Sequence, residues 1–367
     1  MHIASIFESI AIWWWVEKVQ SLLSKWLVKK GYKFTHILLE NKAPCYSHSG
    51  YIYSLNKKFI PWFGLKKIFL LFLIAYKVKK YCKEKYIDII LGQWDFFFMV
   101  TWLAKIFFAN KSISIAVVHT SIRMWPIFVQ KVLLFFLRRH DHIVLISQSE
   151  IDYFVSTYGI DKKKLTLVYN PIELDEFLDR YKNAVMPSEI RPGMYTFINI
   201  ARFTYQKWQE RLLKAFKMLH EEIPNTSLIL IWSGDGLQEI KNYIEQNNLS
   251  WSIQLLNPKK DIIPYLKYSD CFVLSSRFEW FPMVLIEALA AKLPIISVNC
   301  PTGPSEIVQD DWLVSDNEDI VSSLYVKMKE IYQKNDAYGD TRTTLLKKFD
   351  QKTSIQKREQ LIQKLND

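Results

Sequence analysis

The sequence predicts an α/β protein of two domains, each built around a parallel sheet. Three observations predict it. The chain has 367 residues, half of them apolar, which is more than one ordinary core holds and enough for two. Short apolar runs rich in β-branched residues, as strands buried on both faces require, alternate with segments of helical periodicity. The alternation runs twice, on either side of a polar stretch, DRYKNAVMPSEIRPG, at 179–193.

In the first half the expected strands are HILLE (36–40), IDIILG (87–92), ISIAVVH (113–119) and HIVLIS (142–147). VEKVQSLLSKWLVKKGY has apolar residues at helical spacing and ends on Gly31, a plausible C-cap. LTLVYNPIELDEF (165–177) closes this half, with Asn170-Pro171 as a turn signal. In the second half the expected strands are 195–201, 227–232, 253–256, 271–276 and 294–298, and the helices 209–222, 236–247, 261–268 and 283–292. The expected organisation is a first domain at 1–175, a link at 176–194 and a second domain at 195–345. An amphipathic helix at 346–367, with IQKREQLIQKL, is expected to pack back on the first domain. Two such domains imply a cleft at the carboxyl ends of their strands.

Cys45, Cys82, Cys271 and Cys300 are widely spaced and read as reduced thiols of a cytoplasmic protein. MHIASIFESIAI lacks the basic start and cleavage site of a signal peptide. The longest apolar run, Ile68 to Tyr76, falls far short of the roughly 20 residues of a membrane span. The net charge of +11 is uneven: residues 1–170 hold 24 Lys and Arg against 10 Asp and Glu, and the remainder 24 against 27. A basic half suits an anionic partner, or is simply a solvated face.

Two strand–loop–helix passages could carry chemistry. NIARFTYQKWQERLLKAF (199–216) puts Arg202 and Lys207 in a loop beside a helix N-terminus, where cations suit a diphosphate; two exposed basic residues are the plainer explanation. SSRFEWFPMVLIEALAAKLP (275–294) puts Glu279 in a loop and Glu287 inside an apolar helix. A carboxylate there needs a partner, such as two vicinal hydroxyls, or else forms the polar edge of an amphipathic helix.

The Arg/Lys pair, the Glu–x7–Glu and CPTGPSEIV (300–308) together resemble the family-four retaining glycosyltransferases of the GT-B fold. The resemblance covers nearly the whole chain, most strongly 195–310. It implies two Rossmann-like domains facing across a cleft. It also implies transfer of a hexose or N-acetylhexosamine from a nucleotide-sugar, with UDP as the expected nucleotide, to a glycan or lipid-linked acceptor. Arg202 and Lys207 would hold the donor diphosphate, Glu279 the sugar hydroxyls and Glu287 the ribose. Phe281, Pro282, Met283 and Val284 would face the phosphates, and His119, in VVHTS, would reach the sugar. The resemblance implies no metal or other cofactor, and the sequence holds no Asp-x-Asp and no His/Cys cluster.

The departures from the family pattern fall on glycines. Average usage near 7% predicts roughly 26 glycines in this length; there are 10, with 13 tryptophans. Trp14 and Trp15 stand where the family's first donor loop carries Gly-Gly, and Trp208, Trp232, Trp280 and Trp312 at four further glycine positions. The pattern suggests a gene in which UGA encodes glycine, translated as though UGA meant tryptophan. The rival is a decayed transferase with true tryptophans.

On the acceptor side, 56–86 holds nine lysines and one glutamate among many aromatics. Such a surface fits peripheral contact with the anionic inner face of the cell membrane, or an ordinary lysine-rich helix. No nucleic-acid motif is present, so no nucleic-acid partner is expected. A sugar-nucleotide epimerase, a phosphorylase and a non-catalytic binding protein stay open as alternatives on the same fold.

Overall fold

The computed structural model describes residues 1–9, 15–40, 46–57, 65–106, 112–316, 319–334 and 341–366. The chain forms two compact units, Met1–Pro171 with Gln351–Asp367, and Ile172–Asp350.

The first unit carries strands β1 (His2–Phe7), β2 (Lys33–Leu38), β3 (Tyr51–Ser54), β4 (Ile89–Gln93), β5 (Ile113–Val118), β6 (His142–Leu145) and β7 (Leu165–Leu167). They lie in the order β3-β2-β1-β4-β5-β6-β7, all parallel. Its helices are α1 (Trp15–Lys29), α2 (Leu65–Glu84), α3 (Trp94–Ile106), α4 (Ile127–Leu137) and α5 (Gln148–Ser156).

The second unit carries α6 (Leu174–Asn183), α7 (Gln209–Glu222), α8 (Leu237–Gln246), α9 (Ile263–Lys267), α10 (Met283–Ala290), α11 (Pro304–Ile307), α12 (Ile320–Lys334) and α13 (Thr341–Phe349). Its strands are β8 (Tyr195–Ile200), β9 (Thr226–Ile231), β10 (Ile253–Leu256), β11 (Cys271–Leu274), β12 (Ile295–Val298) and β13 (Leu313–Val314), parallel in the order β10-β9-β8-β11-β12-β13. The last helix, α14 (Gln351–Asn366), returns to the first unit. The stretch 176–194, read from sequence as a link, holds most of α6 and lies in the second unit.

Alternation along the strands gives each sheet two apolar faces. In the first unit, Ala4, Ile6, Ile90 and Ala116 meet Ile74, Val78 and Phe98 on one side. Ile3, Leu91, Ile115 and Val117 meet Leu22 and Leu27 of α1 and Ile355, Leu361 and Ile362 of α14 on the other. Helix α1 ends as its glycine requires. Gly31 takes φ +88°, its amide bonds Val28 O at 3.0 Å, and the Tyr32 amide bonds Leu27 O at 3.0 Å.

The sequence reading missed β1, β3 and β13. β1 is central and wholly buried, but His2 and Ser5 interrupt its apolar run. The sheet satisfies them: His2 Nε2 pairs with Thr35 Oγ1 at 2.8 Å, and Gln93 Nε2 donates to Ser5 Oγ at 3.1 Å. β3 and β13 are edge strands of four and two residues. Among the described residues no helix is long and apolar enough to cross a membrane.

Candidate active site

Where the strand order of a parallel sheet reverses, the neighbouring loops at the carboxyl ends diverge and leave a crevice. In the second unit the reversal falls between β8 and β11. The loops that follow these strands, 201–208 and 275–282, carry Arg202, Lys207 and Glu279.

Hydrogen bonds join the two loops. The Arg277 amide donates to Gln206 O at 2.8 Å, Gln206 Nε2 to Phe278 O at 3.0 Å, and Ser275 Oγ to Lys207 O at 3.0 Å. This brings Lys207 Nζ to 2.5 Å from Glu279 Oε1, which also accepts from Ser276 Oγ at 2.5 Å. The Glu279 side chain is only 4% exposed and that of Lys207 14%. A carboxylate so enclosed must be paired or protonated, and the ammonium and hydroxyl supply the pairing. Ser276 and Thr302, whose hydroxyl bonds the Glu279 carbonyl, were not read from sequence. The serine stands three residues before a candidate carboxylate, which was the available signal.

Two further turns close around this pair. Phe203 exchanges backbone bonds with the turn after β9, its amide to Ser233 O at 3.1 Å and its carbonyl from the Gly236 amide at 3.0 Å. Gly303, at φ +91°, lies against the other loop: a Cβ there would meet Pro282 Cδ at 2.6 Å. Behind the pair, burial and then the Glu279 charge push the Cys300 thiol up to about 12.

Pro282 precedes α10, and the Leu285 amide bonds its carbonyl at 3.0 Å. Within α10 every residue is buried except Val284 and Glu287, which share one edge. Phe281, Pro282 and Met283 are buried and Arg202 is exposed. Lys207 and Glu279 are thus in contact, with Arg202 five residues from Lys207 and Glu287 on the helix that Glu279's loop enters.

His119 lies in the first unit, just after β5. Its Nε2 is 2.7 Å from Gln93 Oε1, so it is the donor there, and its Nδ1 has no partner. Burial, and then the charge of Arg358, push its pKa down to about 3, so the ring is neutral near pH 7.

The tryptophans divide. Trp14 lies outside the described residues, and of Trp15 only the backbone, opening α1, is described. Trp208 and Trp232 take φ +44° and +153°, in the region that favours glycine. Trp208 also has the Arg277 and Arg211 guanidinium carbons 2.9 and 3.4 Å from its ring centre. Trp280 and Trp312 do not have positive φ; the Trp280 indole nitrogen is buried without a partner. Trp94, which the sequence reading did not single out, takes φ +65° at the start of α3.

Residues 182–337 match the family model described as glycosyl transferases group 1, and residues 16–176 the model for glycosyltransferase family 4. The chain is 35% identical over 188 residues to an uncharacterized glycosyltransferase of Methanocaldococcus jannaschii, covering 50% of this chain and 46% of that protein. It is 27% identical to the amylovoran biosynthesis glycosyltransferase AmsD of Erwinia amylovora, covering 82% and 81% of the two. The fold is similar to that of Anabaena HepE, solved with UDP and glucose, at a TM-score of 0.76 and 15% identity over 99% and 100% of the two chains. An α/β fold with these features defines the GT-B class of transferases. The chain belongs to the family-four glycosyltransferases of that class.

Proposed function

We propose that this glycosyltransferase moves a hexose or N-acetylhexosamine from a UDP-linked donor to a glycan or lipid-linked glycan acceptor, with retention, in bacterial polysaccharide or glycoconjugate synthesis. The observation that carries the reading is the Lys207–Glu279 pair, set by two joined loops at the strand-order reversal. Lys207 Nζ has three protons. It can keep its bond to Glu279 while donating to a diphosphate, and Glu279 Oε2 then takes a sugar hydroxyl. Arg202 adds a second cation, and Glu287 takes the ribose from its edge of α10. Phe281 to Val284 set the positive helix end toward the phosphates. His119, held neutral with its proton on Nε2, accepts one hydrogen bond from the sugar at Nδ1. The reading assigns no metal and no protein nucleophile; charge stabilisation of the leaving diphosphate supplies the catalysis. AmsD's name and the HepE complex support the substrate classes.

The same reading takes glycine as the native residue at positions 14, 15, 208, 232, 280 and 312, encoded by UGA. Positive φ at Trp94, Trp208 and Trp232 supports it and adds position 94. UGG codons at these positions would sink it.

For the acceptor, the reading assigns peripheral contact with an anionic leaflet. α2 exposes Phe69, Phe72 and Tyr76, then Lys80 and Lys83, along one face. α4 exposes Ile127, Phe128, Val132 and Phe135, then Arg138 and Arg139. Apolar side chains beside cations suit an anionic interface. Replacing Lys77, Lys79 and Lys80 by glutamate abolishes binding to anionic vesicles; unchanged binding discards this part.

The central test is calorimetric titration with UDP and UDP-sugars of the chain as written and of a version with glycine at the six positions. Binding by the glycine version alone supports both the transferase site and the codon reading. Equal binding removes the codon reading. Binding by neither favours the decayed transferase.

A further inference from the structure

Arg358 of α14 is buried in the first unit beneath the sheet, 6% exposed. It helps line a cavity of about 20 Å³ with Gln20 and Leu23 of α1, Leu91 and Gln93 of β4, and Val117 of β5. Such a volume holds one water-sized particle and excludes a phosphate. One guanidinium nitrogen, Nη1, donates to Ser354 Oγ. The other, Nη2, has no partner, and Gln20 Oε1 has none either.

Burial pushes the Arg358 pKa down only to about 10, which leaves it charged near pH 7. No carboxylate pairs with it among the described residues. A buried, unpaired cation is among the most costly groups a fold can hold, and water alone compensates it poorly. A counter-ion taken up from solvent offsets that cost. The cavity wall offers further donors: Gln20 can turn its amide nitrogen inward, since its oxygen has no bond to lose.

We propose that this cavity is a site for one small monovalent anion of halide size, held by Arg358 Nη2. The site is independent of the transferase reading. It also touches the machinery of that reading at one point, because Gln93, which lines it, holds His119 Nε2 at 2.7 Å. The anion therefore ties the returning helix α14 to the strand ends of the first sheet.

The test uses the full chain and bromide. Crystals grown or soaked in sodium bromide are expected to give an anomalous peak at hydrogen-bond distance from Arg358 Nη2. In solution, bromide and chloride are expected to raise Tm at fixed ionic strength relative to glutamate, an anion too large for the cavity. Arg358→Met, which keeps length without charge, is expected to abolish both effects. If that variant does not fold, the anomalous map of the unaltered protein decides. A non-anomalous water at Nη2, or equal stabilisation by all three anions, overturns the proposal.

Discussion

The two units share an architecture and treat charge differently where their strand order reverses. Both are parallel sheets with one reversal of strand order, between β1 and β4 in the first and between β8 and β11 in the second. At the second reversal a cation and a carboxylate meet, Lys207 on Glu279, with Arg202 exposed nearby. At the first, the polar groups are neutral and enclosed: Ser5, Gln93 and His119 bond one another. Two buried charged residues of that unit, Glu17 and Arg358, have no opposite charge beside them among the described residues. The reversal of the second unit thus holds an ion pair, while the first unit keeps its buried pair, Arg123 with Glu150, in α5 and the turn before α4 and leaves Glu17 and Arg358 without one.

The largest effect should come from breaking the pair. Lys207→Met leaves a buried carboxylate with one hydroxyl partner, which should destabilise by on the order of 3–5 kcal/mol. Glu279→Gln should destabilise less, and the double variant should be more stable than the sum of the two predicts, in a denaturant double-mutant cycle. Sugar transfer should fall by about 10²–10³ in kcat for Lys207→Met, the scale for loss of one charge-stabilising donor. Additive stabilities would show that the pair is a surface contact only.

The next effect tests the solitary charges. Burial raises Glu17 from 4.5 to about 7. The folded state therefore binds a proton that the unfolded state has lost between these pH values, so this group's contribution to stability falls as pH rises through that window and is flat above it. Glu17→Gln removes the dependence. Relative to the variant, the unaltered chain should lose about 3 kcal/mol between pH 4.5 and pH 7. Parallel stability–pH curves for the two would show that Glu17 is ionised in the fold.

The contrast also marks what the sequence could show. Most strands and the second-unit helices α7 to α10 were legible, because fully buried parallel strands are apolar runs and their loops are polar, whereas α6 was read as a link and α12 was not read. The 209–222 helix was read to the residue. β1 was not legible, since its polar residues are satisfied by partners on β2 and β4, distant in sequence. Arg202, Lys207, Glu279 and Glu287 were legible as types at a spacing. That Lys207 and Glu279 touch was not, because 72 residues separate them. Arg358 carried no signal at all: in IQKREQLIQKL it reads as one more exposed cation on an amphipathic helix, and only the return of α14 buries it.

The smallest effect separates tryptophans within the chain. Trp208 sits at φ +44° with no side-chain capping bond, at the N-cap of α7. A left-handed conformation costs a non-glycine residue roughly 1–2 kcal/mol, and a glycine almost nothing. Trp26 is different: it lies inside α1 and its indole donates to Glu359 of α14 at 3.0 Å. Glycine there loses helix propensity, apolar burial and that bond, about 2 kcal/mol or more. Trp208→Gly gives up the stacking of Arg277 and Arg211 and a side-chain hydrogen bond to Glu210, and frees Arg277 Nε and Arg211 Nε, both buried without partners, to rearrange. Urea unfolding should therefore place Trp208→Gly within about 1 kcal/mol of the parent or above it, and Trp26→Gly well below. If both lose alike, position 208 is a true tryptophan and its backbone is held by packing that glycine cannot replace.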